Sequence, residues 1–332
     1  QLQVLPRLYR MSGEEKFLRW AERLAKYYLM GKDNFVPQRL DDHGDEVIGG
    51  LGLFLGVMSE VNPQKAKKYR PGVRYMLDEI IERGTNEDGF FYNTIGGGGP
   101  LSDNWGYDYV AHLCYDMAVS EPVYREHVRR TLRNLGKPAY SDYPWEGGDH
   151  PDGYGDSIEG GSYVINRLPV DQAVEWMDRE TMKSLVPPAP NTLGDRELWG
   201  VMKLHANGVR TVIIHALMHT RGCRALPWQQ GLQLGAARQG DSLAVVLRTE
   251  KEWSGRLVFD IPRHRRYMCF ERDWPRINTV PEWFTVRPDR TYTVRNVDEG
   301  AEASMSGRRL HEGKKIHLEP GQTLRLLITP AE

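Results

Sequence analysis

Several features that would assign this 332-residue chain to a familiar class are missing from its sequence. No apolar run approaches the roughly 20 residues that a membrane-spanning helix needs. The formal net charge is -1, so no strong field would draw the chain to nucleic acid or to an acidic membrane surface. The chain also lacks a Gly-x-Ser-x-Gly nucleophile motif and the strand–glycine-rich turn–helix unit of dinucleotide-binding folds. We therefore expect no nucleic-acid partner, no membrane partner and no cofactor.

Cysteine is scarce, with three residues far apart in the sequence. Cys114 and Cys223 lie in apolar patterns typical of buried free thiols, and the odd number argues against a disulfide framework. No signal-peptide pattern is present, but the first residue is Gln1 rather than Met, so this absence decides nothing.

The first two thirds of the sequence has helical periodicity, arranged as pairs of helices. Ser12 precedes a helix with Phe17, Trp20 and Leu24 on one face, and Glu15 would complete a capping box. A second unit has the same form, with Ser120 as the predicted cap, and weaker copies follow. Repeated helical hairpins predict a solenoid or a closed toroid.

Eight helices are predicted in this part, near 13–30, 44–60, 62–83, 104–119, 121–136, 155–167, 170–185 and 196–221. They make four hairpins, whereas a ring of six hairpins would need about four more helices. The sequence thus predicts an incomplete (α/α) toroid, completed by a missing N-terminal segment or by a second chain.

The remainder of the sequence alternates apolar and polar residues. Gly222 and Pro227 end the last helical pattern. Five strands are predicted beyond it, at 232–236, 242–247, 256–260, 315–318 and 323–328. We expect a helical domain over 1–224 and a small antiparallel β-sandwich over 225–332.

Acids, glycines and aromatic residues are concentrated in segments 101–109 and 149–159, and acids also in 41–46. Each segment precedes a predicted helix, so each would place carboxyl groups at a helix N-terminal rim. Carboxyl groups transfer protons and aromatic faces stack on sugar rings, which together favour a carbohydrate site.

The candidate catalytic residues are carboxylates that could pair as acid and base: Asp103, Asp108, Asp156 and Glu159. The candidate sugar-binding residues are His43, Asp45, Asn104, Trp105, Tyr107, Trp145, His150, Asp152 and Tyr154. Structural roles compete with each assignment: helix capping for the acids, a turn for Asp152 and core packing for the aromatic residues. No histidine pair with ligand spacing accompanies the acids of 41–46, so no metal site is expected there.

Helical hairpins with acidic aromatic loops and a following β-sandwich resemble the (α/α)-toroid carbohydrate-active enzymes. The hairpin sequence 8–21 and the closing β element 307–321 carry that resemblance. It implies glycosidic-bond hydrolysis of an oligo- or polysaccharide, with a uronic-acid-containing glycan as the expected substrate. A polysaccharide lyase on the same scaffold and a non-catalytic glycan-binding protein are the alternatives. Glycan degradation favours a periplasmic or secreted location over the cytoplasm.

Overall fold

The computed structural model describes residues 1–31, 34–41, 43–147, 151–185, 207–278 and 280–331. Within the helices, the side chains of 151, 152, 184, 185 and 207 lie outside this description. The chain divides into a helical unit of 1–215 with 268–281, and a β unit of 216–267 with 282–332. The predicted division at residue 224 stays a prediction. Among the described residues, no helix is long and apolar enough to cross a membrane.

The helical part contains nine α-helices in the described residues. They are α1 Leu5–Ser12, α2 Glu15–Leu29, α3 Gly44–Val61, α4 Pro63–Gly84, α5 Trp105–Val119, α6 Arg125–Asn134, α7 Pro151–Arg167, α8 Asp171–Leu185 and α9 Asn207–Thr220. Two short 3₁₀ helices, Pro138–Tyr140 and Trp145–Gly147, precede α7. The predicted helical first part is confirmed, whereas its closure into a toroid stays a prediction. The part of the last predicted helix before residue 207 lies outside the described residues.

Buried helices alternate along the chain with helices that expose one face. In α5, 13 of 15 residues are buried, and in α3, 11 of 18. By contrast, α2 and α6 bury only a narrow stripe. Helix α5 packs against α3 on one side and α7 on the other, so it occupies the core of the helical unit.

Glycine permits the close crossing of α5 and α7. A Cβ atom on Gly106 would lie 2.1 Å from the carbonyl carbon of Gly160, a separation that no side chain tolerates. A second close approach occurs between α3 and α5, where a Cβ on Gly52 would lie 3.0 Å from the Cα of Ala111. These contacts pack α3 and α7 closely against α5.

The predicted serine caps are wrong. Ser12 ends α1 instead of beginning α2, and its hydroxyl donates to the carbonyl of Leu8 at 2.6 Å. Ser120 ends α5 in the left-handed conformation. The start of α6 is capped from a distance, because the Asp116 carboxylate accepts the backbone N–H groups of 124 and 125.

The β unit contains two antiparallel sheets. Its strands are β1 Cys223–Leu226, β2 Leu232–Gln239, β3 Ser242–Thr249, β4 Trp253–Phe259, β5 Thr291–Asn296, β6 Glu302–Ser306, β7 Lys314–Leu318 and β8 Thr323–Pro330. The sheet orders are β1-β4-β7 and β2-β3-β8-β5-β6. Short helices α10 Arg263–Arg266 and α11 Gly307–Glu312 connect strands. A core that includes Trp253, Phe259 and Leu326 draws side chains from both sheets. The predicted β part is thus confirmed, with three strands beyond the five expected.

We predict that Gly106→Ala destabilises the protein by about 2 kcal/mol or more, because the methyl group would force α5 and α7 apart. Urea unfolding followed by circular dichroism measures the change. Gly49→Ala, in the middle of α3, is the control, since its nearest neighbour is the side-chain nitrogen of Gln3 at 3.4 Å. We expect that variant to be as stable as wild type or slightly more so. Equal stability of the two variants would contradict the proposed crossing constraint.

Candidate functional site

Acids from three buried helices meet at their N-terminal parts. Asp45 lies in the first turn of α3, Asp103 immediately precedes α5, and Asp108 lies in the first turn of α5. Asp156 and Glu159 follow in α7. Electrostatic repulsion couples Asp103 to Asp156, Asp45 and Asp108, and Arg210 contacts both Asp156 and Glu159, so all four predicted catalytic carboxyl groups lie in one neighbourhood. We call these five residues the acid cluster.

On the α3 side of the acid cluster, Asp45 is held by an amide and a guanidinium. Asn104 donates to Asp45 Oδ1 at 3.2 Å, and Arg276 donates to Oδ2 at 2.5 Å. The same guanidinium lies over the ring of Tyr107, 3.7 Å from its centroid. Burial raises the pKa of Asp45, and the positive charge of Arg276 offsets part of that effect. The ion pair therefore supports a negative charge on Asp45 in a buried place.

On the α7 side, Arg210 from the first turns of α9 contacts two acids. Its Nε donates to Glu159 Oε2, and its Nη2 lies 3.6 Å from Asp156 Oδ1. Tyr107 donates its phenolic hydrogen to the same oxygen of Asp156 at 3.3 Å. Burial raises the pKa of Glu159, opposed by the charge of Arg210. The Asp156 side chain is 18% exposed, so it is the member of the α7 pair that solvent reaches.

Among the described residues, Asp103 has no arginine contact that would offset the cost of its burial. Its side chain is buried, and its Oδ1 has no hydrogen-bond partner among the described residues. Burial raises the pKa of Asp103 to about 9, and the negative charges of Glu146 and Asp156 contribute further. Asp103 is consequently a neutral carboxylic acid at pH 7.

Asp108 is buried more deeply still. It is fully inaccessible, and neither carboxyl oxygen has a partner in the part of the chain that the structure describes. Burial raises the pKa of Asp108 well above its usual range, with additional repulsion from Asp45 and Asp103. In the acid cluster, burial therefore favours the neutral form of Asp103 and Asp108, whereas arginine contacts favour the charged form of Asp45 and Glu159. Carboxyl groups in such different surroundings are typical of acid–base sites.

The predicted sugar-binding residues fall in different surroundings. Trp105 and Trp145 are fully buried in an aromatic cluster that also contains Phe90, Tyr140 and Trp176. Tyr154 is buried and donates to Glu180 at 2.5 Å. His43 lies at the surface, 3.2 Å from Glu46. Asn104 and Tyr107 adjoin the acid cluster, as described above.

Two predicted residues cannot be placed. His150 lies outside the described residues, and so does the side chain of Asp152. Their assignment to sugar binding remains a prediction.

Sequence reasoning missed three residues that surround the acid cluster: Glu146, Arg210 and Arg276. Glu146 adopts a left-handed backbone with φ of 64°, in the short helix between the two predicted acid segments. Arg210 is the one Arg, Lys, Asp or Glu residue of α9, and nothing in its local sequence distinguishes it from an ordinary surface arginine. Arg276 falls in the stretch predicted to belong to the β domain, yet 268–281 is part of the helical unit. The local feature that distinguishes Glu146 is its positive φ, which is unusual for a residue other than glycine.

Comparison with known proteins adds a distant resemblance in fold. No protein-family model matches the chain, and no curated protein matches it. A solved structure of a GH127 β-arabinofuranosidase aligns with 98% of this chain and 69% of its own chain, with 10% sequence identity and a TM-score of 0.38. A likeness of this degree carries no argument about activity. The chemistry of the site must be argued from its own residues.

The raised pKa of Asp103 predicts a stability that depends on pH. The unfolded carboxyl group ionises near pH 4 and the folded one near pH 9, so between these values the unfolded state binds fewer protons. Stability from this residue is therefore present at low pH and is lost as pH rises toward 9. We predict that Asp103→Asn gains stability relative to wild type, by up to about 1.4 kcal/mol per pH unit over this range.

Urea unfolding at intervals between pH 5 and 8 measures this gain. Asp241→Asn, at a side chain that is 91% exposed, controls for the loss of one aspartate. Unfolding free energies of Asp103→Asn and wild type that run parallel across the range would show that Asp103 is not held neutral.

Proposed function

We propose that this chain is a carbohydrate-active enzyme that hydrolyses glycosidic bonds, with Asp103 as general acid and Asp156 as the partner carboxylate. The observation that carries the proposal is the protonated Asp103, whose pKa is about 9, next to acids that contact arginine or tyrosine. Glycoside hydrolysis requires this division, one carboxyl group that gives a proton and one that accepts it or attacks.

The steps of hydrolysis are assigned from the proposed protonation states of Asp103 and Asp156. Asp103 would donate its proton to the glycosidic oxygen as the bond to the anomeric carbon breaks, and the departing alcohol would take that proton with it. Asp156 would then either remove a proton from the attacking water or bond to the anomeric carbon itself. The hydroxyl of Tyr107 and the guanidinium of Arg210 both face Asp156 and would stabilise its negative charge.

The arginines support a uronic-acid-containing substrate. Arg276 lies over the ring of Tyr107, and Arg210 contacts Asp156, to which the Tyr107 hydroxyl donates. The side chains of Arg210 and Arg276 are 40% and 25% exposed. A guanidinium presents several N–H donors in one plane and can bind a sugar carboxylate while it keeps a protein partner. We therefore propose an acidic glycan in preference to a neutral one.

Hydrolysis is favoured over β-elimination by the state of the tyrosines. A lyase needs a base near the uronate, and in this chain a phenolate or a histidine would fill that role. Burial raises the pKa of Tyr107 and of Tyr154, and neighbouring acids add to the effect, so neither phenol ionises at neutral pH. Tyr154 also gives its hydrogen to Glu180.

A purely structural role would not explain why the protein keeps buried acids that reduce its stability. Asp103 and Asp108 are buried with unpartnered oxygens, an arrangement that reduces stability. Sites of catalysis commonly tolerate such a cost because a perturbed carboxyl group is what the reaction needs. The buried, unpartnered acids therefore favour an enzyme over a glycan-binding protein without activity.

The proposal predicts that Asp103→Asn and Asp156→Asn each lower turnover of uronic-acid-containing oligosaccharides by about 100-fold or more, because amides neither donate an acidic proton nor act as base. Release of reducing ends measures turnover, and absorbance of unsaturated uronates detects elimination. Asp116→Asn is the matched control: Asp116 is equally buried, lies at the opposite end of α5, and its amide oxygen can still cap α6. We expect the control to retain near wild-type activity. Full activity in Asp103→Asn would refute the assignment of the acid.

The rate should also fall at high pH. A general acid must be protonated, so kcat/KM is expected to decline as pH rises through about 9, the pKa of Asp103. Initial rates between pH 4 and 10 test this expectation, with stability checked at each pH. A decline centred below pH 6 would assign the essential proton to another group.

A further inference from the structure

The three-stranded sheet of the β unit has an outward face that the hydrophobic core does not use. Side chains such as Trp253, Leu257 and Leu318 point into the core. The opposite face carries an open groove of about 600 Å³, within the range of small-ligand sites. The groove is lined by Leu226, Pro227, Ser254, Gly255, Arg256, Lys315 and Ile316.

The strands beside this groove are held by contacts of Gly255 and Trp253. A Cβ atom on Gly255 would lie 2.5 Å from the carbonyl oxygen of Leu226 and 2.3 Å from the Trp253 ring, so only glycine fits at this position of β4. The Trp253 indole donates to the carbonyl of Pro227 at 2.8 Å, which fixes the chain just after β1. These contacts fix the backbone of β4 and the end of β1, which line the groove.

Two positive charges face each other across this groove. Arg256 on β4 and Lys315 on β7 are directly paired in the antiparallel register, and both are exposed. Among the described residues neither forms an ion pair, although Arg256 donates to the backbone carbonyl of Glu312 at 3.4 Å. Like charges directly opposite each other destabilise a sheet. An anion bound between them would remove that repulsion.

The groove also offers apolar surface. Leu226, which is paired with Arg256 in the register, is 40% exposed, and Pro227 and Ile316 add further apolar lining. The apolar face of a sugar ring can pack on such side chains, whereas a simple inorganic anion has no use for them. Charge and apolar surface together fit a carboxylated saccharide.

We propose that this groove binds a uronic-acid-containing glycan, with a sugar carboxylate between Arg256 and Lys315. The site would hold an acidic chain on the β unit, separately from the acid cluster of the helical unit. The choice of a uronate rests on the proposed function, whereas the anion site follows from the sheet alone.

Isothermal titration of the full chain with hexagalacturonate tests this proposal, in an Asp103→Asn background that prevents turnover. The double variant Arg256→Gln/Lys315→Gln is expected to weaken one binding event at least tenfold. The control Arg248→Gln/Lys251→Gln removes one arginine and one lysine that are equally exposed elsewhere in the β unit. We expect that control to bind as the unsubstituted background does.

Each outcome either supports or overturns glycan binding in the groove. Selective loss in the Arg256/Lys315 variant supports it, even if the wild-type chain shows no turnover and the proposed function fails. No loss in that variant overturns it, even if the wild-type chain cleaves the same glycan. Equal loss in both double variants, or equal binding of poly-glutamate, would show a general effect of positive charge and would also overturn it.

Discussion

The candidate site depends on the close crossing of α5 and α7. Because Gly106 meets the backbone of Gly160, the two helices approach within a distance that no side chain would permit. That approach buries Asp103 and Asp108 and brings Asp156 to Tyr107. Without it, solvent would reach the acids and their pKa values would return toward ordinary ones. The chemistry of the site therefore depends on this helix packing.

The acids divide into two groups according to their neighbours. Asp45 and Glu159 contact arginine, which offsets part of the cost of burial. Asp103 and Asp108 have no such contact among the described residues, and burial raises the pKa of both. Neighbouring carboxyl groups whose surroundings favour different protonation states can supply both a proton donor and a proton acceptor at neutral pH. This division, more than the number of acids, supports a hydrolytic reaction.

Sequence patterns predicted those parts of the molecule that depend on local interactions. The apolar run of α3 ends at Asn62 and Pro63, so its predicted end at residue 60 is within one residue of the observed end. The three acid segments predicted from sequence contribute the residues of the acid cluster, and their catalytic role stays a prediction. Partners distant in sequence were missed: Arg276 reaches Asp45 across 231 positions, and Asp116 caps α6 where Ser120 was expected. Burial depends on the same distant packing, so the depth of Asp103 was not predictable from its segment.

The most direct test of the central claim is the titration of Asp103 itself. Carbon-13 NMR of protein labelled at the aspartate carboxyl groups follows each group with pH, and Asp103→Asn identifies the signal. The account predicts a resonance that remains that of a neutral acid at pH 7 and titrates near pH 9. A signal that titrates near pH 4 would show that Asp103 is ionised, and it would contradict the assignment of Asp103 as the general acid.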